Sequence, residues 1–374
     1  MNAADSSEPG DSDGPDPEGF VPAVGFVLGG FAVAAGFMQW SPAVAYGPFE
    51  SLPAVLAGLA MLVGFGARRY ELFDRRASLL AGLGAVSLIW IATVALLYPV
   101  ATDAPTTAIG GGLAVGFVLG VIGTGVAFAE YRGFDRKDFL TRSQLATGAL
   151  GIGIFGLFVG FGFSAVGVSL YPGTEDILRS GIGTGAFSIG LGVVAVGFVT
   201  VTGRDLSYFD VEMPGRWDWA YVVVGVVAMY VILFGLGLLA NALGIPSAQH
   251  SLLEAARDDP TLLLLFIPLS WLAIGPGEEL LSRNIVQKYL YEGFSRYGAV
   301  LVATGVFTVI HLPAYLTAEP AAVFSTLVRL FAISLVLGLV YERTENVVVA
   351  ALVHGTYDAI QFGLAYASLT GASI

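Results

Sequence analysis

Cysteine is absent from the 374-residue chain, so disulfides, thiolate metal sites and a cysteine nucleophile are excluded. Charge is scarce: 12% of the residues are charged, about half the roughly 25% of a soluble domain, while 56% are hydrophobic. The N-terminus lacks the basic n-region of a signal peptide. It carries instead six acids (Asp5, Glu8, Asp11, Asp13, Asp16 and Glu18) among Ser, Gly and Pro, so residues 1–20 are read as a disordered acidic tail. The net charge of −12 fits an acidic, salt-adapted composition, and no nucleic-acid partner is expected.

What is present in quantity is apolar sequence. Stretches of about 20 apolar residues alternating with short charged connections are the pattern that hydrocarbon thickness imposes on spanning helices. Spans are expected over 21–40, 53–67, 77–100, 108–129, 145–170, 182–201, 220–243, 262–274 continuing helically past Glu278, 299–315, 321–341 and 347–369. The fold class is therefore all-α, a polytopic transmembrane helical bundle of about 11 spans in the lipid bilayer. An N-terminal six-helix bundle over 21–205 and a C-terminal transmembrane domain over 206–374 are the expected divisions. Gly112, Gly116 and Gly120 form small-xxx-small steps for close helix packing. Trp217 and Trp219 read as an interfacial anchor at the start of the seventh span, and 247–260 as a short external surface helix.

The placement of Lys and Arg tests the span count, because basic residues collect on cytoplasmic connections. Arg68, Arg69, Arg75 and Arg76 follow span two; Arg132, Arg136, Lys137 and Arg142 follow span four; Arg204 and Arg216 follow span six. Arg283, Lys288 and Arg296 are assigned after span eight, and Arg343 after span ten. The opposite connections hold only Arg179 and Arg257. This alternation implies a cell-membrane protein with a cytoplasmic N-terminus and an external C-terminus.

Ionisable groups inside hydrocarbon cost at least about 2.5–3.5 kcal/mol each on insertion scales, so those that occur face a cavity or a partner. Glu278, Glu279, Arg283, His311, Arg329, His354 and Asp358 all fall within or at the ends of the last four apolar helices. Glu279 and Arg283 are spaced i,i+4 for a same-face ion pair, whereas Glu278 is turned about 100° away and needs a different role. Pro276 and Gly277 are expected to weaken the helix beside these acids and to leave a watered cavity. His354 and Asp358 are again i,i+4, so the carboxylate can fix one imidazole nitrogen. Phe307 precedes His311 by one turn and is placed to wall the cavity. Arg329 reads as a structural counter-charge and His250 as a solvated residue of the external connection.

Glu278-Glu279-Leu-Leu-Ser-Arg283, Phe307-Thr-Val-Ile-His311 and His354-Gly-Thr-Tyr-Asp358 resemble the EExxxR, FxxxH and HxxxN/D motifs of the CAAX prenyl protease and bacteriocin-processing family. The resemblance covers roughly residues 262–362. It implies an intramembrane endopeptidase in which Glu278 and His311 activate a water, Glu279 pairs with Arg283, and His354 with Asp358 serves the oxyanion. An ionised Asp358 accepts hydrogen bonds only, so the donor role falls to His354. The implied substrate is a membrane-anchored protein or peptide, prenylated in some relatives, and the cavity is expected to open towards the cytoplasm.

Glu278, His311 and His354 also make a Glu plus two His set like that of catalytic zinc sites, so zinc-dependent and glutamate-type mechanisms both stand open on the sequence. Motifs of other intramembrane proteases, HExxH, GxSG and GxGD, are missing. The competing classes are a proton-coupled transporter, which calls for Gly/Pro-broken helices in two matching halves, and a non-catalytic scaffold or immunity-type protein.

Overall fold

The computed structural model describes residues 19–38, 48–101, 111–173, 175–246, 248, 252–253, 256–315 and 318–371. Residues 1–18 of the expected acidic tail, His250 and part of the expected surface helix over 247–260 lie outside the described residues. Eleven long helices follow one another: α1 (Phe20–Gly36), α2 (Pro48–Arg69), α3 (Ala77–Ala101), α4 (Gly111–Arg132), α5 (Arg136–Ser169), α6 (Asp176–Val201), α7 (Arg216–Ala242), α8 (Thr261–Leu290), α9 (Arg296–Ile310), α10 (Pro320–Thr344) and α11 (Val347–Thr370). Among the described residues nine helices are long and apolar enough to cross a membrane, and α1 and α9 are shorter apolar helices. Large apolar side chains such as Phe158, Phe234 and Leu272 face outward with at least 70% exposure, a surface that only lipid or a partner would cover. The chain is a multi-pass helical membrane protein.

The packing divides the chain into two compact units between Thr141 and Arg142, inside α5. This is upstream of the expected boundary at 205, and α5 and α6 pack among the C-terminal helices. In the first unit, Met61, Phe65 and Leu88 are fully buried, and glycines let the backbones approach. A Cβ at Gly29 would stand 2.6 Å from the Leu62 nitrogen, and one at Gly120 would stand 2.8 Å from the Ala85 oxygen. Arg68 and Glu130 form an ion pair of 2.7 Å that neutralises a nearly buried carboxylate.

The second unit is organised around α8. Its apolar residues Leu281 and Ile285 pack on α6, and Val286 and Leu290 on α5 and α9. Gly277 and Gly275 set its distance from the flanking helices: a Cβ on Gly277 would meet Ser188 of α6 at 2.8 Å, and one on Gly275 would meet the Ala351 oxygen of α11 at 2.6 Å. Gly355 answers from α11, where a Cβ would meet the Ser270 oxygen at 2.6 Å. The Pro276-Gly277 pair does not break the helix as expected. The chain widens instead to π-helical turns over Ser270–Ile274 and Leu280–Gln287 on either side, which absorb the missing proline donor within a continuous rod. Because α8 runs on to Leu290, Arg283 sits inside it, fully buried, and is not one of the connection charges it was counted among.

Gly355→Ala should force α8 and α11 apart and destabilise the unit by about 1–3 kcal/mol, seen as a lower unfolding temperature in detergent. Gly363→Ala, one helix face away with open space around it, should leave that temperature unchanged or raise it.

Candidate active site

Three helices, α8, α9 and α11, deliver the ionisable residues to one region, and local sequence explains how they are aimed. Ser295 caps the start of α9, its Oγ accepting from the Gly298 nitrogen at 3.2 Å. Pro313 ends that helix early, before the expected limit at 315, because the residue before a proline avoids the helical region and proline supplies no donor. In the tightened last turn the His311 nitrogen donates to the Thr308 oxygen. The Phe307 carbonyl that this frees is taken by the His311 side chain, whose Nδ1 lies 2.7 Å from it. A carbonyl only accepts, so Nδ1 carries the proton and Nε2 of the neutral ring is an acceptor.

That acceptor faces Glu278, with Nε2 and Oε2 3.6 Å apart and both side chains about four-fifths buried. The neighbouring acid has a different environment. Glu279 is fully buried; Oε2 accepts from Arg283 Nε at 2.8 Å and Oε1 lies 2.9 Å from His354 Nδ1. The expected ion pair with Arg283 is present, and Glu279 also orients His354, a role the sequence spacing had given to Asp358 alone. Asp358 instead meets the other ring nitrogen, Nε2, at 3.4 Å. Arg283 continues the chain of contacts by donating through Nη2 to Ser334 of α10 at 3.0 Å.

Phe307 is the apolar hub among these groups. Its ring centroid is 4.2 Å from that of His311 and 6.4 Å from that of His354, and the Arg283 guanidinium carbon stands 5.1 Å from it. It also lines the cavity, as the spacing suggested. Arg329 is half-buried on α10, and no ion pair to it occurs among the described residues, so its reading as a counter-charge gains no support.

The zinc expectation is overturned. Among the described residues no group of three His, Cys, Asp or Glu side chains is arranged to hold a metal ion. The physical reason is the division of labour just described. His354 has one nitrogen against Glu279 and the other against Asp358, while Glu278 meets His311, so the expected set of Glu278, His311 and His354 is split between two pairs.

A cavity of about 1260 Å³ reaches Glu278, His311, His354 and Asp358. Its further walls come from the N-terminal ends of α6 and α8 and the C-terminal half of α11, including Ser180, Leu262 and Phe362. The basic end is closed by the segment between α6 and α7, which sequence reasoning missed. Asp210 accepts from Lys288 at 2.7 Å and from the Tyr341 hydroxyl, its carbonyl accepts from the Val347 nitrogen at 2.8 Å, and Asn284 reaches the Tyr208 carbonyl at 3.2 Å. Asn346 caps α11 through the Val348 nitrogen and donates to the Glu212 carbonyl at 3.0 Å. Burial pushes the Tyr208 phenol up to about 12, so the ring stays neutral within this closure. The only signal in the sequence was the cluster of Asn284, Gln287 and Lys288 late in an apolar helix.

Fold and site together define a polytopic membrane protein with buried carboxylate–imidazole pairs in its C-terminal helices. Residues 260–360 match the family described as Type II CAAX prenyl endopeptidase Rce1-like, about a quarter of the chain and the part that carries all three motifs. No curated protein and no solved structure matches the chain.

Arg283→Met should leave the Glu279 carboxylate buried with one partner fewer and destabilise the protein by about 3–5 kcal/mol. Combining it with Glu279→Gln should recover most of that loss in a double-mutant cycle of unfolding temperatures.

Proposed function

We propose that this region is an intramembrane endopeptidase in which Glu278 and His311 activate a water for attack on a peptide carbonyl of a membrane-associated protein. The observation that carries the reading is the pair itself. Two acceptors, a carboxylate oxygen and an imidazole Nε2 whose tautomer is fixed by the Phe307 carbonyl, face each other 3.6 Å apart beside a cavity. Two facing acceptors call for a shared donor, and a water with its two O–H groups supplies one to each.

In the step that follows, the water oxygen bonds to the peptide carbon as one of its protons passes to Glu278, and the carbonyl oxygen becomes an oxyanion. Glu278 then returns the proton to the amine as the C–N bond breaks. His354, held at Nδ1 by Glu279, presents Nε2 to the cavity, and as an imidazolium it donates to the oxyanion; Asp358 beside Nε2 accepts that hydrogen when no oxyanion is there. Glu279 and Arg283 are positioning residues that act through His354. Support comes also from the match of 260–360 to the endopeptidase family.

Purified wild type and Glu278→Gln should be compared on a panel of membrane-tethered peptides that includes prenylated CAAX-type tails. The expected result is a fall in turnover of about 10²–10⁴-fold with an unchanged unfolding temperature. Equal turnover by the two proteins would remove the enzyme assignment.

A further inference from the structure

Among the described residues three fully buried side-chain polar atoms have no hydrogen-bond partner in the protein: Arg283 Nη1 on α8, Gln287 Oε1 one turn further along it, and Thr304 Oγ1 on α9. A buried polar group left unsatisfied is strongly unfavourable, so three in one region call for a common cause. The first two face the same spot. A Cβ on Gly338 of α10 would stand 3.0 Å from Gln287 Oε1, 3.5 Å from Arg283 Nη1 and 3.0 Å from Val300 Cγ1 of α9. Thr304 follows Val300 by four residues and precedes Phe307, whose ring lies beside the Arg283 guanidinium, by three; helix geometry puts all of them on one face of α9.

Rotation does not satisfy the first two. Gln287 Nε2 donates to the Gly338 carbonyl at 3.1 Å and to the Tyr291 hydroxyl at 2.9 Å, and that hydroxyl gives its own hydrogen to Glu342. Both acceptors require the amide nitrogen, which leaves Oε1 where it stands. Arg283 commits Nε to Glu279 and Nη2 to Ser334, so Nη1 is the donor that remains. A helical threonine commonly returns its hydroxyl to the carbonyl four residues back, as Thr308 does to Thr304 at 2.8 Å; Thr304 makes no such bond.

A donor, an acceptor and a hydroxyl that serves as either are what one water needs. It accepts from Nη1, donates to Oε1 and shares its remaining hydrogen or lone pair with Thr304; buried waters make about three such bonds. We propose that Arg283, Gln287 and Thr304 bind a single structural water between α8, α9 and α10, and that Gln287 and Thr304 are thereby positioning residues, acting through Arg283 and Glu279 on His354. With the water, hydrogen bonds run unbroken from His354 through Glu279, Arg283, Gln287 and Tyr291 to Glu342. The water site stands on burial and hydrogen-bond supply; the positioning role rests on the endopeptidase reading.

Thr304→Val removes the hydroxyl at nearly constant volume. A hydroxyl with no partner is better replaced by a methyl, whereas one bonded to a water is missed, so the unfolding temperature in detergent should fall by about 2–4 °C. In a double-mutant cycle with Gln287→Met the two losses should be non-additive, because both side chains hold the same water. An unchanged or raised temperature for Thr304→Val, or strict additivity, would overturn the shared water. Should Gln287→Met not fold, a wild-type structure that resolves ordered waters decides instead: one oxygen about 3 Å from all three atoms supports the site, and none there overturns it.

The catalytic arm compares wild type and Thr304→Val on membrane-tethered peptides across pH. His354 is flanked by Glu279 and Asp358, and Glu278 and His311 line the same cavity; of these groups Glu279 is the one bonded to Arg283. Loosening Arg283 should therefore displace the pH–rate profile, whereas a variant that is merely less stable keeps the wild-type profile at lower amplitude. An unmoved profile would overturn the positioning role. If wild type cuts no peptide, the endopeptidase reading fails and the positioning role with it, while the stability cycle still decides the water.

Discussion

The carboxylate of Glu279 is the constraint around which the C-terminal unit is built. A fully buried ionised acid with no partner would cost several kcal/mol, so its charged form requires that donors be delivered to its oxygens. Arg283 comes from the next turn of the same helix, but His354 comes from α11, so the charge is satisfied only when α8 and α11 are docked. The glycines at 275 and 355 permit that docking by letting the two backbones meet. Through the guanidinium the same charge reaches Ser334 on α10 and stands over Phe307 on α9. One buried negative charge thus couples four helices, and the orientation of His354 is a by-product of neutralising it.

Glu278, one residue away, shows the opposite treatment. Its side chain is partly open to the cavity and its neighbour His311 stands just beyond hydrogen-bonding range. Adjacent acids on one helix therefore differ in kind: one is spent on holding the structure together, the other is left with a free acceptor. Helix geometry alone separates them, since a rotation of about 100° carries one towards α11 and the other towards the end of α9.

Much of this was legible in the residues. Eleven helices, nine of them of bilayer length, follow from the apolar runs, and the Glu279–Arg283 pair and the approach of Asp358 to His354 follow from i,i+4 spacing. Three things did not follow. The early end of α9 depended on weighing Pro313 against an apolar run that continues past it. The role of Glu279 towards His354, and with it the loss of the zinc set, is a contact between residues 75 apart that no local spacing encodes. The packing of α6 on α8, and the closure by Asp210, were hidden because one apolar helix resembles another until the glycines that touch are known; Gly277 against Ser188 is visible only in three dimensions.

The π-helical turns in α8 carry a consequence for reading relatives of this chain. A π turn accommodates one residue more than the α turn it replaces, so everything after it is rotated by about 100° relative to an unbroken α-helix. Between Glu278 and Lys288 the helix holds such a segment, and it is this offset that lets the acid look into the cavity while Asn284 and Lys288 look at the Asp210 closure. A homologue shorter by a single residue there would keep its motif letters yet turn the closing face away, so the length of this stretch is as much a signature of the site as the acids themselves.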